Sequence, residues 1–149
     1  MPDGGERTSG GGAVRRRGYR GCVARPVRVV VVEDNHVFRE ALVLLLGQEP
    51  DVEVVGDVAG GEEAVEICSE LEPDVVLLDY RLPGMDGVQA TAEILRVAPG
   101  AAVVCLTASA TLREEEALRS AGAVACLTKD AQLEEIVSAL LAAAATPAR

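Results

Sequence analysis

Five short apolar runs, each followed by a segment of helical period, constrain this chain more than any other feature. They fall at about Arg28–Val32, Val52–Asp57, Val75–Leu78, Ala102–Leu106 and Ala123–Leu127, and all are rich in valine or leucine. Runs that are apolar without polar alternation belong to strands buried on both faces, and strands that alternate with helices build a parallel sheet covered on its two sides. Only the second run is interrupted, at Glu53 and Asp57, which suits an edge strand. With a right-handed crossover at every step, the expected fold is α/β, a doubly wound (βα)5 sandwich with five parallel strands in the order 2-1-3-4-5.

The intervening segments carry apolar residues at three- and four-residue steps. The first offers Phe38, Leu42, Leu45 and Leu46, the second Ala64, Ile67, Cys68 and Leu71, and the fifth Leu133, Ile136, Val137, Leu140 and Leu141. The third, from about Asp86 to Val97, is expected to turn Val88, Ala92 and Leu95 inward and to end at Pro99-Gly100. The fourth, Thr111 to Ala121, has only Leu112 and Leu118 around the run Glu114-Glu115-Glu116, so it should bury little and be mobile.

Charge divides the chain. Residues 1–26 hold six arginines against Asp3 and Glu6, together with Gly4-Gly5 and Gly10-Gly11-Gly12, a balance of +4. Since the whole chain carries −10, residues 27–149 carry −14. The first 26 residues are expected to be a disordered basic tail, residues 27–144 the folded domain, and 145–149 a flexible C-terminus. A start codon lying downstream, at Val23 or Val27, would account for the tail. An acidic body repels the phosphate backbone, so direct nucleic-acid binding is not expected. No apolar run reaches the roughly 18–20 residues that span a bilayer. Arg15-Arg16-Arg17 lead into Arg20, Arg25 and Arg28 and not into an apolar segment, so a cytoplasmic protein is expected. Cys22, Cys68, Cys105 and Cys126 form no CxxC pair and read as reduced, mostly buried thiols.

In open sheets of this kind, ligands bind beyond the carboxyl ends of the strands where the strand order reverses, here between the first and third. The first strand ends in Glu33-Asp34, the third in Asp79, the fourth in Thr107 and the fifth in Thr128-Lys129. Each alone has a plain explanation: Asp34 or Asn35 as a helix cap, Asp79 as a loop acid, Lys129 as a solvated charge. Jointly they supply three carboxylates, a hydroxyl and an ammonium to one crevice. Three acids need a hard cation with oxygen ligands, and Mg²⁺ is the best fit. A carboxylate beside it can attack phosphorus, while a cation, an ammonium and a small donor stabilise the transferring group. His36, the only histidine, reads as a partly exposed helix residue.

Val29-Val30-Val31-Val32-Glu33-Asp34-Asn35, Asp79-Tyr80-Arg81-Leu82-Pro83-Gly84-Met85-Asp86-Gly87, Leu106-Thr107-Ala108 and Lys129-Asp130-Ala131 resemble, in order, the signatures of response-regulator receiver domains. The resemblance implies a flavodoxin-like fold, with Asp79 as phosphoacceptor and Glu33, Asp34, Asp79 and the backbone carbonyl of Arg81 around Mg²⁺. It implies that Thr107 follows the phosphoryl oxygens and that Lys129 pairs with the phosphoryl group. The donor would be a sensor histidine kinase or a small molecule such as acetyl phosphate, and the chain would be no enzyme beyond catalysing its own phosphorylation and dephosphorylation. The face of the fourth helix, fifth strand and fifth helix would respond, with homodimerisation one outcome. The ending around Lys129-Asp130-Ala131 looks most like the branch that carries a LuxR-type helix-turn-helix domain.

Two departures stand out. Cys126 occupies the position, three before the lysine, where the family often has a tyrosine or phenylalanine that reorients on activation. The length leaves no room for a DNA-binding domain, so the chain is either a stand-alone receiver acting through partners or the receiver half of a longer regulator. A pseudo-receiver that binds partners without phosphate is a further alternative. An enzyme on the same fold is a third, but no glycine-rich phosphate loop follows the first strand.

Overall fold

The computed structural model describes residues 25–108 and 111–145. The tail expected over residues 1–26 lies outside the described residues except for its last two, as does the C-terminus expected over 145–149 except for its first. Five strands, β1 (Val27–Val32), β2 (Val52–Val58), β3 (Val75–Asp79), β4 (Ala102–Thr107) and β5 (Ala125–Thr128), alternate with five helices. The helices are α1 (His36–Gly47), α2 (Gly61–Leu71), α3 (Gly87–Val97), α4 (Leu112–Ala121) and α5 (Leu133–Ala144). The strands are parallel in the order β2-β1-β3-β4-β5, the order expected, with the interrupted strand β2 at an edge.

Period-two alternation within the apolar runs sorts the core onto the two faces of the sheet. Val30, Val32, Val76, Leu78, Val103 and Cys105 pack under α2, α3 and α4 against Ala64, Cys68, Ile94 and Leu118. Val29, Val31, Leu77, Val104 and Leu106 pack under α1 and α5 against Leu42, Leu46, Ile136 and Leu140. Because both faces of the central strands β1, β3 and β4 are covered, their interiors are apolar and polar residues stand at their carboxyl ends, as Glu33, Asp79 and Thr107 do.

Three expectations need correction. On α3 Ala90, Thr91 and Ile94 are fully buried and Val88 and Leu95 pack half-buried against the same core, as expected of those two, while Ala92 is exposed. The cause is Gly87, whose N–H donates to the Tyr80 carbonyl at 2.6 Å; that close contact sets the rotation of the helix, and residues three, four and seven later follow it inward. On α1, Leu45 is 42% exposed, with Leu42 and Leu46 taking the buried stripe. Finally, β5 begins at Ala125 and not at Ala123, because the Ala123 N–H is used to close α4, donating to the Leu118 carbonyl at 2.9 Å beside Gly122 at φ +121°.

The approach of α3 to the end of β3 is a sharp constraint. A Cβ on Gly87 would lie 2.8 Å from the Tyr80 Cα and 3.1 Å from its carbonyl oxygen. Backbone cannot give way as a flexible side chain would, so Gly87→Ala is expected to destabilise the protein by about 2 kcal/mol, read as a lower urea midpoint. A midpoint within error of wild type would show that the turn from Asp79 to Gly87 relaxes freely.

Candidate functional site

The end of β1 is held on several sides. The Glu33 N–H donates to the Val58 carbonyl at 3.0 Å, and Arg39 Nη1 donates to the Glu33 carbonyl at 2.7 Å while its Nε reaches Asp57 Oδ1 at 3.2 Å. The Glu33 side chain is buried, and its Oε2 accepts the Asn35 N–H at 3.0 Å. Asn35, not Asp34, caps α1, accepting the Phe38 N–H on Oδ1 at 2.9 Å. Asp34 is exposed at the mouth of the crevice.

Asp79 ends β3, paired in register with Leu106, and is 5% exposed. Its Oδ1 accepts the Arg81 N–H at 3.3 Å. Thr107, one residue beyond Leu106, is buried, and its carbonyl accepts the Lys129 N–H at 2.8 Å, which joins the ends of β4 and β5. The Lys129 Nζ lies 2.8 Å from Glu33 Oε1, 3.3 Å from Asp79 Oδ2 and 4.9 Å from the centre of the Phe38 ring. Glu33, Asp34 and Asp79 each bring a carboxylate oxygen within 4.8 Å of the others.

The electrostatics follow from this packing. Burial and the neighbouring charge of Glu33 push the Asp79 carboxyl up from its ordinary value of 3.8 to about 6, with Lys129 and the Arg81 N–H acting in the opposite direction. Burial works against the Lys129 ammonium, but its hydrogen bond to Glu33 and the charges of Asp79 and Glu33 outweigh that and raise its pKa. One ammonium against three carboxylates leaves negative charge uncompensated. The donor set therefore fits a small, hard divalent cation, since it offers several carboxylate oxygens and no nitrogen or sulfur.

A pH dependence is built in. A carboxyl whose folded pKa is raised favours the folded state fully below about pH 4, and that contribution is lost as the pH climbs through about 6. In EDTA, wild-type stability should therefore fall by about 1–2 kcal/mol over that interval relative to Asp79→Asn, after allowance for solvent screening. Parallel urea-midpoint profiles for the two proteins between pH 4 and 7 would contradict this.

Of the residues expected at the site, Glu33, Asp34, Asp79 and Lys129 are brought together and Thr107 stands at the adjoining strand end. Arg81 donates its N–H to Asp79, but its guanidinium turns away, 3.7 Å from Glu114 and 5.6 Å from the centre of the Tyr80 ring. His36 is exposed and pairs with Glu40 at 3.1 Å, one helical turn away. Ser109, two residues after Thr107, lies outside the described residues. From sequence, Phe38 is expected only on the apolar face of the first helix and Glu114 only in an acidic run, and Arg39 is not singled out. The signal available for Arg39 was its partner, since Asp57 is one of the two polar residues that break the second apolar run.

Residues 29–141 match the response regulator receiver domain. The chain belongs to this family. The receiver is 35% identical over 117 residues to the transcriptional regulatory protein LiaR of Bacillus subtilis, covering 78% of this chain and 56% of the relative. It is 37% identical over 114 residues to the response regulator GacA of Pseudomonas aeruginosa, covering 76% and 53% respectively. The chain thus spans about half the length of these relatives. Among solved structures, the signal receiver domain of NarL from Mycobacterium tuberculosis superposes with a TM-score of 0.77 at 38% identity, over 80% of this chain and 97% of that one. The receiver is a signalling domain of two-component response regulators, on the flavodoxin-like fold expected. Among the described residues, no helix is long and apolar enough to cross a membrane.

Proposed function

We propose that this receiver accepts a phosphoryl group on Asp79 and passes the change to protein partners. The observation that carries the reading is the convergence of Glu33, Asp34 and Asp79 at the carboxyl ends of β1 and β3, with Lys129 bridging Glu33 and Asp79. An Asp79 carboxylate oxygen forms a bond to phosphorus as the donor's bond to phosphorus breaks. A phosphohistidine on a sensor histidine kinase leaves as imidazole, and acetyl phosphate leaves as acetate.

Glu33, Asp34, Asp79 and the backbone carbonyl of Arg81 would hold Mg²⁺, which when bound neutralises charge on the transferring group. Lys129, already facing Asp79 Oδ2, is placed to shift its ammonium onto a phosphoryl oxygen, and Thr107 supplies a hydroxyl donor from the adjoining strand. Residues 27–144 form the receiver domain in this reading, with residues 1–26 and 145–149 as flanking segments. It acts in the cytoplasm through protein partners, with the α4, β5 and α5 face as the responding and dimerising surface. Direct nucleic-acid binding by this acidic body is not part of the reading.

The test is incubation with acetyl phosphate and Mg²⁺ followed by intact-mass measurement. One phosphoryl adduct is expected, and it should be absent when EDTA replaces Mg²⁺. No adduct, together with spectra and oligomeric state unchanged by beryllofluoride in Mg²⁺, would establish instead a partner-binding module that works without phosphate.

A further inference from the structure

Cys105 and Cys126 play no part in the chemistry above, and the fold sets them against each other. They are register partners in the parallel ladder of β4 and β5. Both side chains point to the sheet face covered by α3 and α4, where Cys105 is buried and Cys126 half-buried against the same core. Adjacent strands run about 4.8 Å apart, which lies within the Cα separations of roughly 4.4–6.8 Å that a disulfide bridges. Each thiol perturbs the proton affinity of the other across the ladder.

The geometry points to Cys105 and Cys126 as an oxidisable dithiol, a modification site that takes a hydroperoxide and closes to a cross-strand disulfide. The outer sulfur reacts first. The neighbouring Cys105 thiol holds Cys126 down at about 7 against the opposing effect of burial, with Arg119 on α4 adding to the lowering and Glu115 opposing it. The neighbouring Cys126 sulfur and burial push Cys105 strongly up, so it stays protonated.

The Cys126 thiolate attacks one oxygen of the hydroperoxide, the O–O bond breaks, and the departing alkoxide takes up the proton that Cys126 released. Cys126 is then a sulfenic acid. The Cys105 sulfur attacks the Cys126 sulfur, the S–O bond breaks, and the hydroxide leaves as water with the Cys105 proton. Two thiols lose two electrons, and the hydroperoxide is reduced to an alcohol and water. The bond would lie two residues before Thr107 and three before Lys129, clamping the strand ends that carry them.

The test uses the full chain, reduced, freed of reductant, exposed to a graded excess of hydrogen peroxide and then to iodoacetamide. Before alkylation a product about 2 Da lighter than the reduced chain is expected, and after it two fewer alkylated thiols, both reversed by dithiothreitol. Tryptic mapping should join the peptide spanning 97–113 to that spanning 120–129. Cys126→Ser should abolish the link, Cys68→Ser should leave it, and Cys105→Ser should strand Cys126 as a sulfenic or sulfinic acid. If Cys105→Ser does not fold, Cys105→Ala takes its place. A link made to Cys22 or Cys68, or Cys126 over-oxidised while Cys105 is alkylated, would overturn the assignment.

Discussion

Asp79→Asn is expected to abolish phosphoryl incorporation from acetyl phosphate while making the apo protein more stable at neutral pH. The two effects have opposite signs and one origin. The carboxylate that supplies the nucleophilic oxygen is 5% exposed and lies beside Glu33, and those surroundings raise its pKa to about 6. An amide keeps the shape, removes the repulsion and has no oxygen able to form the acyl phosphate. Intact mass should show no adduct on Asp79→Asn under conditions that label wild type completely. Its urea midpoint in EDTA at pH 7 should rise by the equivalent of about 1–2 kcal/mol. An adduct of equal yield on the variant would place the phosphoacceptor elsewhere, and an unchanged midpoint would mean that Asp79 is not strained by its neighbours.

Lys129→Met should have the largest effect on stability. Removing the ammonium takes from the carboxylates of Glu33, 2% exposed, and Asp79 the cation with which both form ion pairs among the described residues. Breaking one side of a buried pair costs about 3–5 kcal/mol; because the Lys129 side chain keeps partial access to water, about 2–3 kcal/mol is expected in EDTA. Mg²⁺ should bind the variant about ten-fold more tightly, because a like charge has been taken from the site. Labelling by acetyl phosphate should nevertheless slow by about a hundred-fold, since a donor to the transferring group is lost. Thermal melts with and without Mg²⁺, isothermal titration of Mg²⁺ and timed mass spectra separate the three effects. Weaker Mg²⁺ binding in the variant would mean that Lys129 supports the cation and does not compete with it.

The strand order, the edge position of β2 and the convergence of Glu33, Asp79, Thr107 and Lys129 were legible because each depends on pattern within a short stretch. A strand buried on both faces shows itself as an unbroken apolar run, and the first polar residues after it mark the end of the sheet. What could not be read depends on how the end of one element docks against the loop or element beside it, which no apolar pattern records. The rotation of α3, which exposes Ala92, is set by Gly87 against the Tyr80 backbone. The late start of β5 is set by the closing of α4. Arg39, whose role is to hold the Glu33 carbonyl and Asp57 together, looks from sequence like any exposed helical arginine.

Helix α4 contributes only Leu118 to the core, and at its N-terminus Glu114 both completes a capping box with Thr111 and faces Arg81, two residues after Asp79. With so little apolar surface holding it, this helix should open far more often than the sheet beneath it, and native-state amide hydrogen exchange should show its N–H groups protected by a small fraction of the global unfolding free energy. A shallow local equilibrium is easily tilted. A change of about 1.4 kcal/mol at the Arg81–Glu114 contact would move the open population of α4 roughly ten-fold while leaving the folding of the domain almost untouched.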